Sequence, residues 1–257
     1  MVKIDFGRHV EDYAACRPGF PASFYERLDS LARIEGSRSL DLATGPGTIA
    51  LQLAARRSRV VGIDVSAEVV ATATRLARER NLDDSVEFRV AAAESTGLDA
   101  RSFDLATAGQ CWHWFDGGAA MAEVLRVLRP GGVLAIAYYS YLARHSAVAR
   151  ETEDLIQEFN PSWAMSGSTG MMPEHVDEVI RGGFGLVEAF CYDHDEVFSH
   201  AQWRGRVRTC HGVGSGGLAP ADVLRFDDAL ARLLAAKYPD PMIVEHRVWC
   251  VVARKPS

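Results

Sequence analysis

Along the chain, the spacing of apolar residues switches repeatedly between helical steps and short strand-like runs. After Pro21, the residues Phe24, Leu28, Leu31 and Ile34 recur at three- and four-residue steps, which predicts a helix with Pro21 at its first position. The run Ser39 to Ala43 is short and apolar and ends in Gly45-Pro46-Gly47, so it reads as a buried strand entering a tight turn. Ile49, Leu53 and Ala54 begin a helix, and Arg59 to Asp64 is a second strand. Ser66 suits the cap of the next helix, Glu68 suits its first turn, and Val69, Ala73, Leu76 and Ala77 form its buried stripe. Val86 to Val90 and Phe103 to Ala108 are the third and fourth strands. Asp116 caps a helix carrying Met121, Val124, Leu125 and Leu128, Arg129-Pro130-Gly131-Gly132 stops it, and Val133 to Tyr139 is a fifth strand. Strands alternating with helices predict an α/β fold whose parallel sheet is covered on both faces.

After Tyr139 the rhythm breaks. A helical stretch (Val148 to Phe159) leads into a Ser/Gly/Met-rich segment ending at Met172, and Leu186 to Tyr192 reads as a sixth strand. Two more helical patterns flank a glycine-rich link from His211 to Gly217, and His246 to Ala253 is a terminal strand. The expected organisation is an N-terminal helical segment over 1–36 and one domain over 37–257. That domain carries insertions at about 141–183 and 199–241, each with apolar residues of its own. The insertions begin after strand ends, and in parallel sheets ligands bind beyond those ends, so both are expected to roof a pocket.

Composition narrows the partners. Lys plus Arg is 28 against 34 Asp plus Glu, so the net charge of −6 argues against a nucleic-acid footprint. The five cysteines are an odd count with no C-x-x-C, which predicts reduced thiols in the cytoplasm and no zinc site or other metal. The first residues hold no apolar core of a signal peptide, and no apolar run approaches the roughly 18 residues of a membrane span. A monomer or homodimer is expected.

The central motif is Asp41-Leu42-Ala43-Thr44-Gly45-Pro46-Gly47-Thr48, between a strand and a helix. Its glycines let a backbone approach a ligand closely. Asp64, at the end of the next strand, can accept hydrogen bonds from both hydroxyls of a ribose, or it can simply cap the following helix. Gly45 to Ala50 fits the dinucleotide pattern G-x-G-x-x-A, which keeps an NAD(P)-dependent oxidoreductase open. Asp41, four residues before Gly45, weighs against it: a carboxylate repels a pyrophosphate but welcomes a cofactor with an ammonium group.

On these residues the sequence resembles the class I S-adenosylmethionine-dependent methyltransferases. The resemblance implies a Rossmann-like, seven-stranded, mostly parallel sheet with helical cap insertions. It also implies S-adenosyl-L-methionine as methyl donor and S-adenosyl-L-homocysteine as product. Asp41 to Gly47 is similar to the family's first motif, with Ala43 in place of a glycine. Asp64 matches the ribose-binding acid, and Ala91-Ala92-Ala93-Glu94 matches the adenine loop without its usual Asp at Ala92. Leu128 to Gly132 resembles the turn before strand five. A narrower resemblance, to the small-molecule methyltransferases that include trans-aconitate methyltransferases, lies in Gln110-Cys111-Trp112-His113-Trp114-Phe115-Asp116 and in the segment from Tyr13 through Arg17 to Pro21. Together these imply a cofactor site of Tyr13, Arg17, Asp41, Ala43, Thr44, Gly45, Gly47, Asp64, Val65, Ala93, Glu94 and Gln110, with Arg17 facing the methionine carboxylate or lying on the surface.

The implied reaction is an in-line displacement on a small-molecule acceptor, a carboxylate or hydroxyl oxygen in first place, carbon or nitrogen in second. A non-catalytic S-adenosylmethionine-binding regulator has the same motifs. A carboxylate acceptor needs only positioning, whereas a phenol, amine or carbon acid needs a base. His113, following the fourth strand, is the candidate base, or else a packed lid element. Trp112, Trp203, Arg206 and His211 are candidate substrate contacts, with an Arg able to clamp a carboxylate. The alternative for Trp203 and Arg206 is a solvated helix face.

Overall fold

The computed structural model describes residues 16–214 and 217–257. Seven strands, β1 (Arg38–Leu42), β2 (Arg59–Asp64), β3 (Val86–Val90), β4 (Phe103–Gly109), β5 (Leu128–Tyr141), β6 (Gly185–Phe198) and β7 (Met242–Arg254), form one sheet in the order β3-β2-β1-β4-β5-β7-β6. The strands β3, β2, β1, β4 and β5 are parallel neighbours in that order. The backbone bonds Gly131 N to Lys255 O and Leu142 N to Glu245 O set β7 antiparallel to β5. Because β1 is followed in sequence by β2 and flanked on its other side by β4, the chain reverses its winding between β1 and β4. That is the switch point where open α/β sheets leave a crevice.

Side chains alternate across a strand, and here both faces are covered. On β5, Leu134, Ile136 and Tyr138 join one buried cluster with Leu40, Leu42 and Ile63, while Val133, Ala135, Ala137 and Tyr139 join another with Phe24, Leu28 and Leu53. The α-helices given in full by the described residues are α1 (Ala22–Leu31), α2 (Thr48–Ala55), α3 (Ala67–Glu79), α4 (Gly117–Val127), α5 (Ala147–Phe159), α6 (Glu174–Arg181), α7 (His200–Arg208) and α8 (Pro220–Lys237). Ser66 caps α3 through Val69 N and Asp116 caps α4 through Ala119 N, as the spacing predicts. Pro21 sits one position earlier than expected, at the cap of α1.

By residue contacts the chain divides into two units. One comprises Gly19–Tyr139, Met172–Tyr192 and Val248–Ser257, and the other the described part of Met1–Pro18, with Ser140–Met171 and Asp193–Arg247. The first unit holds the two clusters above. The second has its own, built on Trp203, Val207, Phe226, Leu230, Leu234 and Val244.

Three boundaries differ from the expectation by four residues or more. β5 starts at Leu128, five residues early, and its register against β4 jumps from Phe103–Leu128 to Leu105–Val133. The Arg129–Gly132 turn is thus bulged out of the ladder, with Gly131 left-handed at φ 76°. β6 runs on through Asp193–Glu196, and β7 starts four residues earlier than His246, at Met242.

Candidate active site

Parallel strands bring the loops after β1, β2, β3 and β4 to one edge of the sheet, all within the first unit. The loop after β1 is built from left-handed residues at alternate positions: Ala43 at φ 43°, Gly45 at 56° and Gly47 at 85°. The first takes a conformation that costs an L-residue about 1–2 kcal/mol. Asp41 holds the loop from below. It is buried, and its two carboxyl oxygens accept Thr44 Oγ1 and Thr107 Oγ1, each at 2.6 Å. Burial pushes its pKa up to about 6 against the opposing effect of the two threonine bonds. Asp41 therefore ties the loop to β4 from within the protein rather than facing a ligand.

Asp64 closes the loop from the side. Its Oδ2 accepts Gly45 N at 3.1 Å and its Oδ1 accepts Ser66 N at 3.0 Å. Each carboxylate oxygen has a second acceptor direction, so the helix-entry bonds leave room for two hydroxyl donors. Next to it, Val65 is 72% exposed, an apolar side chain left uncovered at the strand end. Around Gly45, the space a Cβ would occupy has no atom within 4 Å. An acid with spare acceptor capacity, an open glycine and an exposed valine fit a ribose carrying a flat base. In the β3 loop Ala93 is buried, and Glu94 Oε1 accepts Asp116 N at 3.0 Å. Gln110, left-handed at φ 63°, donates its amide Nε2 to Tyr139 O.

After β4 the segment Trp112–Trp114 forms one 3-10 turn. It presents Trp112 inward, buried, and leaves His113 exposed. His113 Nδ1 lies 3.0 Å from Tyr138 Oη, which lies 3.1 Å from His175 Nε2. His175 Nδ1 is 2.8 Å from Glu178 Oε2, and Trp112 Nε1 donates to the same oxygen at 3.0 Å. Tyr138 and His175 are buried and their rings stack at 5.5 Å. Burial raises the Tyr138 phenol far above its ordinary value, so it stays protonated. Burial of its inner edge, then the neighbouring His175, hold His113 below the usual histidine value. His175 and Glu178 carry no motif in the sequence. The signal for their helix was Pro173, acids at Glu174 and Asp177, and the Gly182-Gly183 stop.

The remaining expected contacts belong to the second unit, except Tyr13, which lies outside the described residues. Arg17 donates through Nε to Thr209 Oγ1 at 2.9 Å and through Nη2 to Thr209 O at 3.1 Å, at the C-terminal end of α7, where a cation is favoured. Trp203 and Arg206 do not form the solvated helix face that was their alternative. Trp203 is fully buried and donates to Thr152 Oγ1 at 3.0 Å, which makes it a packing residue in place of a substrate contact. Arg206 is buried over the Tyr141 ring at 5.0 Å. His211 is exposed in a turn. Among the described residues one trio, His145, Asp193 and Glu245, is spaced for a metal, but Arg247 already grips both oxygens of Asp193 at 2.6 and 2.8 Å.

Comparison with known proteins agrees with this fold. Residues 40–136 match the family described as a methyltransferase domain. An uncharacterized methyltransferase of Schizosaccharomyces pombe is 30% identical over 138 residues, 53% of each chain. A malonyl-[acyl-carrier protein] O-methyltransferase of Geobacter sulfurreducens is 29% identical over 237 residues, 85% of this chain and 82% of that one. A candidate type II methyltransferase from Anaeromyxobacter dehalogenans superposes with a TM-score of 0.68 at 26% identity, covering 94% of this chain and 99% of that one. The matched region spans about half the length of the first of these relatives. Residues 40–136 thus carry a methyltransferase domain, and the seven-stranded sheet around it is the class I methyltransferase fold. No helix among the described residues is long and apolar enough to cross a membrane.

Proposed function

We propose that this protein transfers a methyl group from S-adenosylmethionine to an oxygen of a small-molecule acceptor. The observation that carries the reading is the pairing of Asp64 with the left-handed loop at Ala43–Gly47, open above Gly45 and beside an exposed Val65. Asp64 would accept the ribose hydroxyls, Val65, Ala93 and Glu94 would line the base, and Gly45 would let the chain pass close, with Gly47 shaping the loop behind it. The bound cofactor supplies an electrophilic methyl group on a sulfonium. The protein's part is to hold the acceptor in line, exclude water and receive a proton where the acceptor has one.

Two further points support the finer reading. The Geobacter relative is named for methyl transfer to oxygen. The excess of acidic over basic residues, 34 against 28, favours a small acceptor over a polyanion.

Calorimetric titration with S-adenosylmethionine and S-adenosylhomocysteine, with NADH and NADPH as controls, tests the cofactor. The expected result is binding of the first two, weakened in Asp64→Ala by about 1–3 kcal/mol through loss of charged hydrogen bonds. Binding of NADH or NADPH alone would hand the glycine loop to a dehydrogenase.

A further inference from the structure

We propose that Tyr138, His175 and Glu178 are positioning residues that hold His113 in one tautomer, with Nε2 unprotonated, and that the acceptor is therefore one that must give up a proton, a hydroxyl or phenol rather than a carboxylate. The substrate class rests on the methyl-transfer reading above; the tautomer is a property of the protein alone.

An indole Nε1–H only donates, so Trp112 sets Glu178 Oε2 as acceptor at 3.0 Å. As a carboxylate, Glu178 has no proton to return, and His175 Nδ1, at 2.8 Å from the same oxygen, must donate to it. A neutral imidazole carries one N–H. With that proton on Nδ1, His175 Nε2 is a lone pair, and the Tyr138 hydroxyl 3.1 Å away donates to it. The phenol has a single proton, so towards His113 Nδ1, at 3.0 Å, its oxygen accepts. His113 is left with its proton on Nδ1 and a lone pair on Nε2, a nitrogen with no hydrogen-bond partner among the described residues, on a side chain that reaches solvent. One carboxylate thus sets the direction of three successive bonds, spanning the turn after β4, strand β5 and α6. A carboxylate acceptor would have no use for this polarity, because it arrives deprotonated. For a hydroxyl the balance closes. Its proton goes to Nε2, its electron pair forms the O–C bond, the C–S pair stays with sulfur as a neutral thioether, and His113 becomes an imidazolium.

Two-bond 1H–15N spectra of the labelled protein at pH 8, without ligand, read the tautomer directly. The expected signal for His113 is a protonated Nδ1 and an unprotonated Nε2. Tyr138→Phe and Glu178→Leu are expected to release it into a mixture. Glu178→Gln keeps it, because the amide oxygen still accepts both N–H groups. A wild-type His113 protonated on Nε2, or a tautomer indifferent to Tyr138→Phe and Glu178→Leu, would overturn the proposal. Glu178 is 39% exposed, so its variants open no cavity, while Glu178→Leu takes this acceptor from the Trp112 and His175 N–H groups and Glu178→Gln retains it.

The substrate class is read with labelled S-adenosylmethionine and two probes, catechol and trans-aconitate. Catechol methylation is expected to fall about 10²- to 10⁴-fold in His113→Ala. In Glu178→Leu, kcat is expected to fall at least about tenfold at unchanged KM, with Glu178→Gln near wild type. Methylation of trans-aconitate at a rate that His113→Ala leaves unchanged would overturn the protic acceptor. Failure of S-adenosylmethionine to bind would overturn the substrate class together with the methyl-transfer reading, while the tautomer result would stand by itself.

Discussion

Asp41 shows how one side chain can be legible in type and illegible in role. Its position in the loop motif is plain from the sequence, and its charge there argued for a cationic partner. The structure buries it and assigns both its oxygens to threonines, one in the loop and one on β4. Thr107 is 66 residues away in sequence and meets Asp41 only through the β1–β4 pairing, where the two are register partners. Burial makes the acid a measurable feature of stability. Its carboxyl titrates near 6 in the folded protein and near 3.8 when unfolded. Between those values the folded state holds the extra proton, so Asp41's contribution to stability is greatest below about pH 4 and declines as pH rises through 6, by up to roughly 3 kcal/mol. Urea unfolding at pH 4.5, 6 and 7.5 is expected to show that decline in the wild type and to lose it in Asp41→Asn. The amide keeps one acceptor and one donor for the two hydroxyls, so the variant should be no less stable at pH 7.5. An unchanged slope would place the titration elsewhere.

The elements that could be read from the sequence are those with one buried face or two. β1, β2, β4 and most of β5 are apolar runs because helices cover them, and α3 and α4 announce themselves by cap and stripe. β6 was read short because it lies at the sheet edge, where alternate residues stay exposed and Asp193–Glu196 gives no apolar alternation. α6 was missed because eight residues bury only His175 and Val179, too little for a stripe, and with it went half of the hydrogen-bonded chain behind His113. The loop after β1 offers a test of whether its glycines serve the backbone or the space around it. Both Gly45 and Gly47 are left-handed, but a Cβ on Gly45 meets nothing within 4 Å, whereas on Gly47 it lies 2.9 Å from Phe88 Cζ and 3.3 Å from Leu51. Gly45→Ala is expected to cost about 1–2 kcal/mol of backbone strain. Gly47→Ala adds a clash and should cost about 1–3 kcal/mol more. Denaturant midpoints at constant slope check the order; equal losses would mean that the Phe88 ring moves aside freely.

Among the described residues, the buried apolar side chains gather in three clusters, and the division between units falls between them. Two clusters lie wholly in the unit that carries Asp64 and His113, and the third, around Trp203, lies wholly in the other. The apolar residues after Tyr139 foretold that the later segments had something to bury. They did not reveal that Trp203, read beside three arginines as a binding residue, is itself a central part of it, because an aromatic on a basic helix looks the same in sequence whether it turns inward or outward. The cluster contents make a prediction about cooperativity. Trp203→Ala removes a fully buried indole and its bond to Thr152, whose hydroxyl still donates to Val148 O at 2.7 Å, so the loss is mainly a cavity of about 3–5 kcal/mol. Hydrogen exchange separates local from global opening. The amides of Val207, Phe226 and Leu230 are expected to exchange at least about a hundredfold faster in the variant, while those of Leu40, Ile63 and Ala106 keep most of their protection. β5, β6 and β7 contribute residues to both units, which is the physical reason the opposite result is conceivable. If protection falls equally at all six positions, the strands carry the loss through the sheet, and the separate clusters belong to a single cooperative unit.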